Sequence, residues 1–187
     1  MIAPFITLSL AASPVPAVDC TFDTTKMVAL DQASFDQDMN GGWRALAAKG
    51  CDAAAADAIE AWRNARETPQ SVIYWHEGQM RANAGQYKRA ITLFKLSKHK
   101  VKIDNWGWNL YVDGSIAFLE HDRSKLIRVR NKLEQLPEPA DFKRMIRLDG
   151  SPSQAKWPLN LDVLDAFIRC WGKSYKEAYA CPKEIKG

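Results

Sequence analysis

The stretch "WHEGQMRANAGQYKRAITLF", residues 75–94, decides how this chain folds. Apolar and small residues recur three and four apart on both sides of Gly85, which marks two amphipathic helices joined by a turn. Gly85 can take the left-handed conformation that closes a helix C-terminus. Beyond it, small Ala90 lets two antiparallel helices approach closely, and Tyr87, Ile91 and Phe94 fill the space between them. His76 and Glu77 invite a zinc-hydrolase reading. That helix motif needs a second His four residues on, and Met80 stands there. Of the three histidines, the others are His99 in a Lys-rich run and His121 at a predicted turn. His76 therefore reads as a partly exposed helix residue.

The pattern recurs in both directions. In "WNLYVDGSIAFLEHDRSKLIRVRNKLEQLP", residues 108–137, Gly114 stands where Gly78 stood. His121 takes the turn, Leu126 the Ala position and Leu133 a later core position, and Pro137 ends the helix. In "MNGGWRALAAKGCDAAAADAIEAW", residues 39–62, Gly50 takes the turn, followed by Ala55 and Ile59. Turns at 50, 85 and 121 resemble the spacing of the tetratricopeptide repeat, about 34 residues. The resemblance covers residues 35–137, with a looser helix–Gly172–helix unit behind it.

That resemblance implies an all-α domain over 35–179, a short α-α superhelix of about three degenerate hairpins at 36–69, 71–104 and 107–137. An insertion at 138–158 and a C-terminal hairpin at 159–181 follow. In the resembled family the first helix of each hairpin lines a concave protein-binding face. Mapped onto this chain, that face comprises Asn40, Arg44, Trp75, Gln79, Asn83, Trp108, Tyr111 and Ser115, although Trp75 and Trp108 read equally well as core. Glu77 and Asp113 stand where the family carries a large apolar residue. Glu77 precedes Arg81 by four, the favourable order for a helical ion pair. The expectation is a set of structural ion pairs, Glu77, Arg81 and Asp113, that fix the register of the repeats.

"MIAPFITLSLAASPVPA" is apolar with small residues at its end, and reads as a signal peptide cleaved after Ala17. Residues 18–34 read as an N-terminal extension. All four cysteines, Cys20, Cys51, Cys170 and Cys181, lie beyond the leader. An even number in an exported chain points to disulfides, and proximity favours Cys20–Cys51 and Cys170–Cys181. The localisation expected is periplasmic or secreted.

Function follows by exclusion and by resemblance. A net charge of +4 is too small to imply nucleic acid, and no apolar run reaches the length of a membrane span. No phosphate loop, nucleophile elbow or dinucleotide fingerprint occurs, and the paired glycines of "GGWRALAAKG" lack phosphate-binding spacing. No metal or cofactor is expected. The basic run "KLSKHKVK", residues 95–102, reads as a solvated helix end, with an acidic partner or membrane surface as the minority reading. The leading expectation is a non-catalytic adaptor that holds another protein or an extended peptide, with a homo-oligomer left open. Its rivals are an immunity protein that neutralises a secreted toxin and a cell-wall hydrolase using Glu77 and Asp113.

Overall fold

Three hairpin turns repeat one another hydrogen bond for hydrogen bond. Gly50, Gly85 and His121 take φ values of 81°, 74° and 56°. One residue after each, a backbone N–H returns to a carbonyl five residues earlier. Cys51 donates to Leu46 at 3.1 Å, Gln86 to Arg81 at 2.8 Å and Asp122 to Ala117 at 2.9 Å. This is the Schellman closure, and it satisfies carbonyls that the helix end would otherwise leave open. Five residues past each turn, Ala55, Ala90 and Leu126 are buried, and twelve past, so are Trp62, Ser97 and Leu133.

The computed structural model describes residues 17–101, 104, 106–145 and 150–183. Among the described residues there are nine α-helices and no β-strand. They are α1 (Thr24–Ala29), α2 (Gly42–Ala48), α3 (Asp52–Asn64), α4 (Ser71–Asn83), α5 (Tyr87–Leu96), α6 (Trp108–Leu119), α7 (Arg123–Glu134), α8 (Leu161–Arg169) and α9 (Tyr175–Tyr179). Consecutive pairs α2–α3, α4–α5, α6–α7 and α8–α9 pack as helical hairpins, and each hairpin packs on the next. The all-α expectation and the helical repetition both hold. Most of the expected leader, residues 1–16, lies outside the described residues.

Glycine sets the distance between helices at two equivalent places. A Cβ on Gly78 of α4 would meet the Phe94 ring of α5 at 2.6 Å. A Cβ on Gly114 of α6 would meet Leu164 of α8 at the same distance. The core has two parts. Phe35, Trp43, Leu46, Ile59, Trp62 and Ile73 form the first. The second runs from Trp75 and Phe94 through Tyr111, Ile116 and Phe118 to Leu164, Phe167 and Tyr175.

Residues 18–34 are not a loose extension. α1 packs on α3, and Cys20 is bonded to Cys51 at a Cα separation of 5.5 Å. Trp62 Nε1 donates to the Leu30 carbonyl at 2.9 Å, and Arg66, stacked over Trp62, donates to the same oxygen at 2.8 Å. Those bonds close the open carbonyls at the end of α1. The first helix expected from residue 36 is also broken. Ala33–Gln37 is a π-helical turn, and α2 begins only at Gly42. The second disulfide, Cys170–Cys181, closes the last hairpin as expected. In the insertion a 3₁₀ turn at Phe142–Arg144 carries Phe142 into a ring cluster with Trp106 and Trp157.

Candidate functional site

The predicted concave face is closed by the chain itself. α9 packs against α8 and also against α4. Tyr175 of α9 is 1% exposed and sits among Phe118, Phe167 and Phe94. Lys176 of α9 reaches Asp52 at the start of α3, Nζ to Oδ2 2.6 Å. Beneath this cover Trp75, Tyr111 and Ser115 are core residues. Trp75 stacks on Phe94 at 4.3 Å, and the Ser115 hydroxyl donates to the Tyr111 carbonyl at 3.0 Å. Burial pushes the Tyr111 and Tyr175 phenols well above their usual range. The physical reason is that the α8–α9 hairpin carries an apolar side, Leu164, Phe167, Tyr175 and Ala178, that gains by leaving water. Here it folds back over α4 and α6.

Three more predicted residues border the closed face. Trp108 is half-buried and donates Nε1 to the Ser97 carbonyl at 2.9 Å, with its ring over His99. Asn83 donates to Asp52 at 3.3 Å. Gln79 lies beside the buried Tyr175 hydroxyl without closing an ordinary hydrogen bond to it.

The expected ion pairs are distributed differently. Glu77, 1% exposed, is held by Arg63 of α3, Nε to Oε2 2.8 Å, with Arg81 farther off at 3.9 Å. Arg81 is equally buried and spends its guanidinium on Asp57 at 2.7 Å, Glu60 at 2.9 Å and Gln86 at 3.0 Å. Burial raises the Glu77 carboxyl above the usual range, and the Arg63 bond only partly offsets it. Asp113 belongs to a separate, half-exposed pair with Lys98 at 2.9 Å. Equivalence in the repeat misleads here because the chain after α5 brings a lysine to Asp113. The cleft that Glu77 lines contains Glu60 and not Asp113, so the two acids proposed for hydrolysis stand in separate pairs.

Sequence reasoning missed a buried polar cluster around Asp36. Asp36, in the π-helical turn, is fully buried. Its Oδ1 lies 2.6 Å from Nδ1 of His76 on α4 and accepts Trp43 Nε1 at 2.9 Å. The Gln37 amide donates to Oδ2, and Arg44 Nε donates to the Asp36 carbonyl at 2.7 Å. Burial alone would raise the Asp36 carboxyl. The His76 and Trp43 hydrogen bonds and the Arg44 charge outweigh it and hold the group below the usual range. Asp36 is therefore ionised, and the bonded His76 tautomer carries its proton on Nδ1.

Gly42 makes this arrangement possible. Its φ is +49°, and a Cβ there would lie 2.0 Å from the Phe35 carbonyl oxygen. The turn can close over Asp36 only with no side chain at that point. What the cluster presents outward is a short rim. Asn40, in the turn before α2 and not on a helix, is exposed, as is Met39. The Arg44 guanidinium lies 4.3 Å from the Trp43 ring centre, and its Nη groups bond nothing among the described residues. His76 keeps 15% of its side chain exposed, with Nε2 free of hydrogen bonds among the described residues.

Chemically, the pair resembles an oriented general base, because a carboxylate fixes the ring and leaves the outer nitrogen as acceptor. No hydroxyl or thiol bonds to it among the described residues. Nor do three His, Cys, Asp or Glu side chains among them converge as a metal-binding set. Comparison with family models, curated proteins and solved structures finds no match.

Proposed function

We propose that this protein is an exported, non-catalytic adaptor of tetratricopeptide-like type, which holds another protein through the rim of Asn40, Arg44 and His76. One observation carries the reading. Three side chains converge on the buried Asp36 carboxylate and a fourth on its carbonyl, so His76 and Arg44 are held in place before any partner arrives, beside the exposed Asn40. Donors held in place lose little freedom on binding, which is where preorganised surfaces gain affinity. Arginine is also among the residues enriched in interface hot spots. Asn40 and Arg44 are the part of the expected binding set that lies on this rim, whereas Trp75, Tyr111 and Ser115 are buried and Gln79, Asn83 and Trp108 are half-buried beside them. The two disulfides support an oxidising compartment. The three matching turns support the repeat assignment.

Affinity capture tests this reading, with residues 18–187 as bait against an envelope fraction. Asn40→Ala/Arg44→Ala protein serves as the control bait. One stoichiometric partner that the control fails to hold is the expected result. If that partner is an enzyme silenced on binding, the adaptor is an immunity protein. Equal capture by both baits, or no partner, overturns the reading.

A further inference from the structure

A second surface is separate from the Asp36 rim. Between Glu77 and Asp104 the chain contains no acidic residue, and besides the buried Arg81 it carries Lys88, Arg89, Lys95, Lys98, Lys100 and Lys102. Arg89 is paired with Glu60 at 2.8 Å and Lys98 with Asp113 at 2.9 Å. Lys88, Lys95 and Lys100 are exposed, and among the described residues no acid pairs with them. Lys88 and Lys95 stand two turns apart on α5, and Leu96 stands two turns beyond Arg89, so all four share one side of the helix. Leu96 is 56% exposed and Val101 88%, although each is a large apolar residue. The opposite side of α5 buries Ala90, Leu93 and Phe94 in the core.

We propose that the exposed side of α5, Lys88, Lys95 and Leu96, together with Lys100 and Val101 in the connection that follows it, docks the protein onto an anionic phospholipid surface. Separate, flexible ammonium groups meet lipid phosphates as point charges and need no fixed acceptor geometry. Apolar tips between them enter the boundary between headgroups and acyl chains. The two signals act together, as peripheral attachment requires. A protein interface would instead call for an aromatic or arginine anchor. The strip exposes no aromatic ring, and the neighbouring Arg89 is committed to Glu60. Among the described residues no helix is long and apolar enough to cross a bilayer.

Vesicle flotation decides it, with residues 18–187 and vesicles of phosphatidylglycerol or of phosphatidylcholine. The protein should float with phosphatidylglycerol and not with phosphatidylcholine, and added salt should release it. Lys88→Glu/Lys95→Glu/Lys100→Glu should lower the partition about tenfold or more. Leu96→Ser/Val101→Ser should lower it several-fold with the charge unchanged. All five side chains are exposed, and circular dichroism checks each variant. Should the reversal variant fail to fold, the Lys→Gln triple takes its place. No flotation, equal flotation with both lipids, or unchanged flotation of the charge variant overturns the proposal. Binding to polyglutamate without flotation overturns it too and assigns the strip to an acidic polypeptide.

Discussion

Asp36 and His76, forty residues apart in the chain, meet at 2.6 Å, and the contact ties the N-terminal turn to the helix that carries the repeat. Asp36→Ala leaves His76, Trp43 and Gln37 without their common acceptor. Leaving buried donors without their charged acceptor costs about 1–3 kcal/mol. Urea unfolding at neutral pH should register a loss of that order, and Asp36→Asn a smaller one, since the amide oxygen still accepts the Trp43 N–H.

The same contact sets an acid dependence. A carboxyl held below its usual range gives stability that is fully present above the unfolded value, about pH 4, and lost as pH falls through the folded value. Glu77 has the opposite sign. Its raised value favours the folded state at low pH, and that contribution is lost as pH rises through the folded value. Unfolding midpoints measured from pH 7 down to pH 3 should therefore fall less steeply for Asp36→Asn than for the native chain. For Glu77→Gln they should fall more steeply.

Glycines at positive φ should differ sharply in tolerance. Gly42→Ala drives a Cβ into the Phe35 carbonyl and should cost about 3 kcal/mol or more, or abolish soluble protein. Gly50→Ala and Gly85→Ala meet nothing within 4 Å and should cost only the backbone strain, about 1 kcal/mol. Equal costs at the three positions, measured by thermal melting, would contradict the geometry at Gly42.

His121 occupies a turn where its two counterparts are glycine, and it takes φ 56°. His121→Gly should raise stability by about 0.5–1 kcal/mol, since the left-handed strain disappears. A destabilised variant would mean that the edge contact of His121 with Trp171 matters more than the backbone.

Reducing the disulfides should act on both ends of the chain. Cys20–Cys51 closes 31 residues and Cys170–Cys181 closes 11. Chain-entropy arguments give each a stabilisation of about 3 kcal/mol. Cys170→Ser/Cys181→Ser should loosen α9 first, visible as faster hydrogen exchange at Tyr175 and Ala178 than at Ala90.

What the sequence made legible was local. The hairpin turns follow from Gly50, Gly85 and a periodic pattern on either side, and the disulfides follow from spacing. The Asp36–His76 contact had no such signal. Its partners lie forty residues apart, and only the paired glycines at 41 and 42, left unassigned in the sequence, stood near it. The closure by α9 was equally hidden. Whether a last hairpin stands apart or folds back depends on how far all the earlier ones wrap, which no single repeat encodes. Asp113 failed for a related reason. Repetition predicted its position correctly, but its partner Lys98 comes from a connection that the repeat does not specify.

The rim over Asp36 is the proposed contact surface. Site-specific photocrosslinking tests it most directly, with a photoreactive side chain placed at Asn40 in one protein and at Lys132, exposed on α7, in another. In an envelope extract position 40 should yield one discrete adduct that disappears when Arg44→Ala is added, and position 132 should yield none. The same adduct from position 132, or none from position 40, would contradict the account.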